Sequence, residues 1–234
     1  MKERVKTFIL GLDEQMGGGV PKGHVVLVSG MPGTMKSSVA YNILYYNAKE
    51  LGVRGLYISL EQGRDSIVEQ VAGLGMNHGE VEELINIVDL GFLRMNMEEG
   101  KAAHDWMDVF KLYVNNLRST TKYELLVVDS LPVLEILSRS DDRRIQLFQL
   151  FGWLRELGIT TFVISETASN LDIVKDEDFL ADGIIKLKKE MQGLEAQRQI
   201  IIDKMRGAKH AMGLYSLIHD GDNFRITKVI QGGP

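Results

Sequence analysis

Short runs of continuously apolar residues alternate with longer stretches of helical period from residue 24 to about residue 165. The short runs are HVVLVSG (24–30), GLYISL (55–60), INIVDL (85–90), ELLVVD (124–129) and TTFVIS (160–165). A strand that is apolar at every position is covered on both faces, so these runs predict buried parallel strands. Between them lie KSSVAYNILYYNAKELG (36–52), DSIVEQVAGLG (65–75), AAHDWMDVFKLYVNNLRS (102–119) and RRIQLFQLFGWLRELG (143–158). Each spaces its apolar residues three or four apart and closes on glycine or a polar cluster, as amphipathic helices do. The alternation predicts an α/β domain with a mostly parallel central sheet flanked by helices.

After Glu166 the helical period does not return. ADGIIKLKKEM (181–191), RQIIIDKMRG (198–207) and YSLIHDGDNFRITKVI (215–230) read as strands, the last folded at a hairpin turn around Asp220, Gly221 and Asp222. They predict a C-terminal antiparallel extension of the same sheet. SRSDDRR (138–144) predicts an exposed loop between strand and helix. Without internal repeats or a Pro/Gly/Ser linker, residues 1–234 are expected to form a single domain.

Composition narrows the function classes. A chain of 234 residues that is 44% hydrophobic closes one good-sized core without covalent staples. A formal net charge of −5 discounts a protein whose main business is coating nucleic acid. The absence of cysteine removes disulfides, thiolate metal sites and cysteine nucleophiles. MKERVK and the short apolar stretch after it do not read as a signal peptide, and no apolar run reaches the ~20 residues of a membrane span. A cytoplasmic protein with no membrane partner is the expectation.

The chemistry concentrates in GMPGTMKSS, residues 30–38. A glycine, four residues, a second glycine, lysine and serine or threonine make a phosphate-binding loop when a strand precedes and a helix follows. Here every fixed position matches except Met35, which replaces the second glycine. The loop works through consecutive backbone N–H groups and the positive end of the helix, and any residue but proline supplies that N–H. Met35 therefore keeps the donor, provided its side chain points away from the phosphates. The candidate nucleotide-binding set is Gly30, Met31, Pro32, Gly33, Thr34, Met35, Lys36, Ser37 and Ser38. Lys36 would contact the β- and γ-phosphates of ATP, and Ser37 would sit on Mg²⁺. The plain alternative is a glycine-containing turn that merely joins strand to helix.

Three acidic residues end apolar runs where an open parallel sheet gathers its ligands. Asp129 follows LLVV and is the candidate second metal residue, which would accept from a Mg²⁺-bound water and hold Ser37 in register; alone, it is a turn-starting aspartate. Glu61 follows YISL and is the candidate group that orients the attacking water; its alternative is a solvated acid at a helix start. Glu166 occupies the equivalent tip after TTFVIS and would sense the γ-phosphate.

Taken in order, GLDEQMGGGVPKG (11–23), the loop, YISLEQ (57–62), LLVVDSL (125–131), FLADGIIKLKKE (179–190) and DKMRGAKH (203–210) resemble the KaiC-like branch of the RecA/RadA superfamily of ATPases. The resemblance covers nearly the whole chain. It implies a RecA-type P-loop NTPase core, in a single KaiC-type copy rather than a tandem pair. It also implies a homo-oligomer, a hexameric ring, with ATP and Mg²⁺ between neighbouring subunits. Lys36, Ser37 and Asp129 keep the roles above, and Glu61 matches the family's catalytic glutamate. Lys204 and Arg206 match residues that reach across the boundary toward the neighbour's γ-phosphate. From the residues alone, that pair reads as an exposed basic edge that discourages strand pairing.

Two departures stand out: Met35, and Gln62 where many relatives carry a second acid beside Glu61. They admit slow turnover or a nucleotide-gated scaffold. The rival class is a RecA/RadA-like DNA-binding module, disfavoured by the mixed charge of SRSDDRR. An unknown protein partner is compatible with either reading. The histidines His24, His78, His104, His210 and His219 have no metal-ligand spacing. Trp106 and Trp153 read as packing residues on apolar helix faces.

Overall fold

The computed structural model describes residues 3–91, 106–137, 142–167, 174–192, 194–221 and 223–229. In chain order the elements are β1 (Arg4–Val5), α1 (Leu12–Gln15), β2 (Val20–Pro21), β3 (Val25–Gly30), α2 (Lys36–Leu51), β4 (Gly55–Ser59), α3 (Arg64–Ala72) and, after a 3₁₀ turn at His78–Glu80, β5 (Ile85–Asp89). There follow α4 (Trp106–Thr121), β6 (Leu125–Asp129), α5 (Leu131–Leu137), α6 (Arg143–Glu156), β7 (Thr160–Glu166), α7 (Asp176–Leu180), β8 (Gly183–Gln192), β9 (Glu195–Met205), β10 (Leu214–His219) and β11 (Phe224–Lys228).

Nine strands form one sheet in the order β11-β10-β9-β8-β3-β7-β6-β4-β5, and β1 and β2 make a small antiparallel ribbon. The five expected strands are present and pair in parallel. Of the C-terminal strands, β8 still runs parallel to β3, and the antiparallel extension begins with β9. The reason is the connection. The chain returns from β7 to the starting edge of the sheet through α7 before β8 begins, whereas β8 to β9 is a tight turn.

The unbroken apolar runs follow from burial on two faces. On β3, Val26 and Val28 join the core layer that includes Val39, Tyr41 and Ile43 of α2; Val25 and Leu27 join the opposite layer with Phe110 of α4, Leu134 of α5 and Leu150 of α6. Three helices fall outside the expectations: α1, α5 and α7 have 4, 7 and 5 residues, too few for a 3.6-residue period to register. In particular, the expectation that no helix follows Glu166 gives way at α7. Of the loop expected over 138–144, residues 138–141 lie outside the described residues, and the rest starts α6. There the Asp142 carboxylate caps the helix by accepting from the Ile145 N–H at 3.1 Å. Residues 102–105, including His104, and Asp222 of the hairpin turn also lie outside them. Among the described residues no helix is long and apolar enough to cross a membrane.

Candidate functional site

The carboxyl ends of the parallel strands lie level. Gly30 of β3 pairs with Glu166 of β7, and Ser59 of β4 with Asp129 of β6. From β3 the chain enters the loop and α2 starts at Lys36. Gly30 is required: a Cβ there would collide with the Leu187 carbonyl oxygen and lie 2.9 Å from Thr34 Oγ1. Gly33 sits at φ 79°, and a Cβ there would meet nothing within 4 Å. The Thr34 hydroxyl ties the loop by donating to the Met31 carbonyl at 2.8 Å.

Met35 adopts the left-handed conformation, φ 71° and ψ 30°, that a glycine takes without cost. An L-residue resists it by roughly 1–2 kcal/mol. The half-buried thioether side chain packs against the core layer on the α2 face, which offsets part of that cost. Helix α2 begins without a side-chain cap.

Around the loop the strand-end residues converge. The Lys36 ammonium, 8% exposed, donates to the Met31 carbonyl at 3.1 Å and pairs with Glu166 at 3.4 Å. Asp129 is 9% exposed and accepts a short hydrogen bond from the Tyr57 hydroxyl. Burial pushes its carboxyl above the ordinary range and the Glu61 charge adds to this, while hydrogen bonds from Tyr57 and Ser37 and the Lys36 charge oppose it. A divalent cation alongside would hold this carboxylate ionised. Glu61 is exposed and accepts from the Ser130 hydroxyl, next in the chain to Asp129. Gln62 turns its side chain outward, and its N–H donates to Ser59 Oγ at 2.9 Å.

Lys204 and Arg206 lie elsewhere. Met205 of β9 pairs with Gly183 of β8, which pairs with Val26 near the start of β3. Four residues at 3.3 Å each put them about 13 Å along the sheet from Gly30, at its opposite end. There the Lys204 ammonium donates to the Asp178 carbonyl at 2.8 Å, and Arg206 donates to the Phe179 carbonyl at 3.1 Å and the Asp182 carboxylate at 3.2 Å. Burial and the neighbouring Arg206 charge push the Lys204 ammonium down. Within one subunit this pair and the loop do not meet.

Helix α7 is held from both ends of the sheet. Its preceding residue, Lys175, donates to the Glu166 carbonyl, and the buried Glu177 accepts from Ser165 Oγ at 3.1 Å and Arg143 at 2.9 Å. Burial acts to raise the Glu177 carboxyl, but a backbone hydrogen bond and the Arg143 and Lys175 charges leave it below the ordinary range.

Sequence reasoning missed several neighbours of the site. Tyr57 reads as one more apolar strand residue; the signal is a hydroxyl sharing the face of Ser59, two residues before the tip. Arg198 donates to the Gly33 carbonyl at 3.2 Å from the distant strand β9, and nothing local marks it. The reading of Trp153 as a packing residue fits its surroundings, and His78 has a protein partner of its own. His78 is buried with Nδ1 2.8 Å from the Tyr41 hydroxyl, and Trp153 meets Phe110 edge-on at 5.8 Å.

Comparison with known proteins agrees with this architecture. The KaiC ATPase family profile matches residues 5–228. A UPF0273 protein of Thermotoga maritima is 32% identical over 226 residues, covering 91% of this chain and 90% of that protein. The circadian clock oscillator protein KaiC 1 of Synechocystis is 27% identical over 230 residues; these are 94% of this chain but 44% of the relative, so the chain spans less than half its length. The crystal structure of a KaiC-like protein from Pyrococcus horikoshii aligns with a TM-score of 0.82 at 29% identity, covering 97% of this chain and all of that one.

Proposed function

The chain belongs to the KaiC family of ATPases, and from that premise we propose that it is a Mg²⁺-dependent ATP hydrolase. It works as a homo-oligomeric ring, a hexamer, with ATP between subunits. The observation that supports this best is the convergence of Lys36, Asp129 and Glu61 beside the loop.

The residues fit the ligand and its metal. The loop's N–H groups and the start of α2 suit a polyphosphate. Ser37 and Asp129 supply a hydroxyl and a carboxylate, the hard oxygen groups that would hold magnesium beside the phosphates. When bound, magnesium neutralises charge on the β- and γ-phosphates. Lys36 is buried beside the loop and would exchange its contact with Glu166 for the γ-phosphate. Glu61, steadied by the Ser130 hydroxyl, accepts a proton from the attacking water as its oxygen bonds to the γ-phosphorus and ADP departs. Lys204 and Arg206 of an adjacent subunit stabilise the charge that develops in that step. The cytoplasm is the expected compartment.

Native mass spectrometry with and without Mg·ATP, combined with phosphate release, tests the reading. Wild type should assemble with nucleotide. Lys36→Ala should lose affinity by about 10- to 100-fold, the worth of a charge-assisted contact. Glu61→Gln should still bind and release phosphate about 100-fold more slowly. A wild type that binds no ATP refutes the proposal. Bound ATP with no release above the Glu61→Gln level would make the protein a nucleotide-gated scaffold instead.

A further inference from the structure

Asp129 is not alone at the end of β6. The Tyr57 phenol, 1% exposed, comes from the neighbouring strand β4 and donates to Oδ2 of the aspartate. Tyr57 itself is firmly seated: its ring packs against that of Tyr41 of α2 at 6.0 Å, and the Tyr41 hydroxyl is in turn tied to His78. The Ser37 side chain lies close to both Asp129 and Tyr57. Strand alternation explains the placement. Tyr57 shares the α2 side of the sheet with Leu125 and Val127 of β6.

Two roles fit a buried phenol on a carboxylate. Any buried tyrosine hydroxyl needs an acceptor, and a main-chain carbonyl serves as well. Here the acceptor is the candidate metal residue, and the third member of the cluster is the other one. The terminal torsion of an aspartate is broad and soft, so a free carboxylate exchanges its oxygens readily. A donor fixed on one oxygen stops that rotation and leaves the other for the metal's hydration shell.

We propose that Tyr57 is a positioning residue for the metal: its hydroxyl pins one oxygen of Asp129 and keeps Ser37 and Asp129 arranged for a divalent cation before one arrives. This rests on the proposed ATP- and Mg²⁺-binding reading. It predicts that the phenol matters to the cation and not to the nucleotide alone.

The test is Tyr57→Phe, which removes one oxygen and keeps the ring packed on Tyr41. Mn²⁺ replaces Mg²⁺ as the probe and is followed by electron paramagnetic resonance with a non-hydrolysable ATP analogue; analogue affinity in EDTA is measured separately. Mn²⁺ affinity should fall about 10- to 100-fold, the range of one hydrogen bond to a charged group. Affinity in EDTA should stay within about twofold. In an Asp129→Ala background the same change should alter Mn²⁺ affinity by less than about twofold, since the pair acts as one. Unchanged or tighter Mn²⁺ binding overturns the proposal, as does an equal loss in EDTA, which marks a purely structural phenol. A wild type that binds no analogue at all sinks the ATPase reading instead, so the two failures are distinct.

Discussion

Met35 holds a left-handed backbone that its side chain resists, with a thioether packed on the α2 core layer. The two effects separate by substitution. Met35→Ala keeps the strain and loses the packing, so it should destabilise the protein by about 1 kcal/mol, the value of a half-buried methionine. Met35→Gly loses the packing as well but removes the strain, and should be about 1 kcal/mol more stable than Met35→Ala. Urea denaturation midpoints at equal slope decide it. An alanine variant as stable as the glycine one would mean that the loop relaxes around the residue. At this scale the sequence was legible where a residue's type and its place at a strand end single it out. Lys36, Ser37 and the strand-end acids announce themselves by letter and position. Tyr57 and Ser130 do not, because their contacts come from which strand lies beside which, and a tyrosine in an apolar run looks the same whether its hydroxyl meets a carbonyl or a carboxylate.

Among the elements, α7 carries the largest electrostatic consequence. Arg143 of α6 joins Glu135 of α5 at 2.8 Å and the buried Glu177 of α7 at 2.9 Å. Removing it leaves Glu177 with Lys175 at 3.7 Å and the Ser165 hydroxyl, and Arg143→Ala should cost about 2 kcal/mol, the worth of a hydrogen bond to a charged group. The pH dependence has a definite sign. Because the Glu177 carboxyl lies below its ordinary value of 4.5 in the folded protein, the unfolded chain binds its proton first as pH falls. Its stabilisation is complete above about pH 4.5 and fades as pH drops through the folded value. Melting temperatures from pH 7 to 3 should therefore fall less steeply in Arg143→Ala than in wild type. A parallel pair of curves would show that Arg143 does not set the Glu177 proton equilibrium. The long elements were legible because burial on both faces leaves an unbroken apolar run in a strand and a 3.6-residue spacing in a helix. Helices α1, α5 and α7 were not, since one or two turns hold no period and tertiary contacts define them.

For the whole molecule, the decisive feature is that the candidate phosphate loop and the basic pair occupy opposite ends of one sheet. Ring assembly is the proposal that reunites them, and mixing two defective variants tests it. Glu61→Gln lacks the proton acceptor, and Arg206→Ala lacks the cation offered to a neighbour. Each alone should release phosphate at a small fraction of the wild-type rate. Combined and allowed to exchange subunits, they should recover part of the wild-type turnover, because some boundaries then hold an intact glutamate facing an intact arginine. A mixture no faster than its components would place Arg206 outside the reaction.

The roughly 13 Å between the Lys204 and Arg206 level and the loop is fixed by strand register, so no bending of an isolated copy closes it. On the proposed reading, catalysis is then a property of crowding: specific activity should climb with protein concentration and level off once assembly saturates. In a cell, the number of copies made would itself act as the on-switch, with a sparse population loaded but idle.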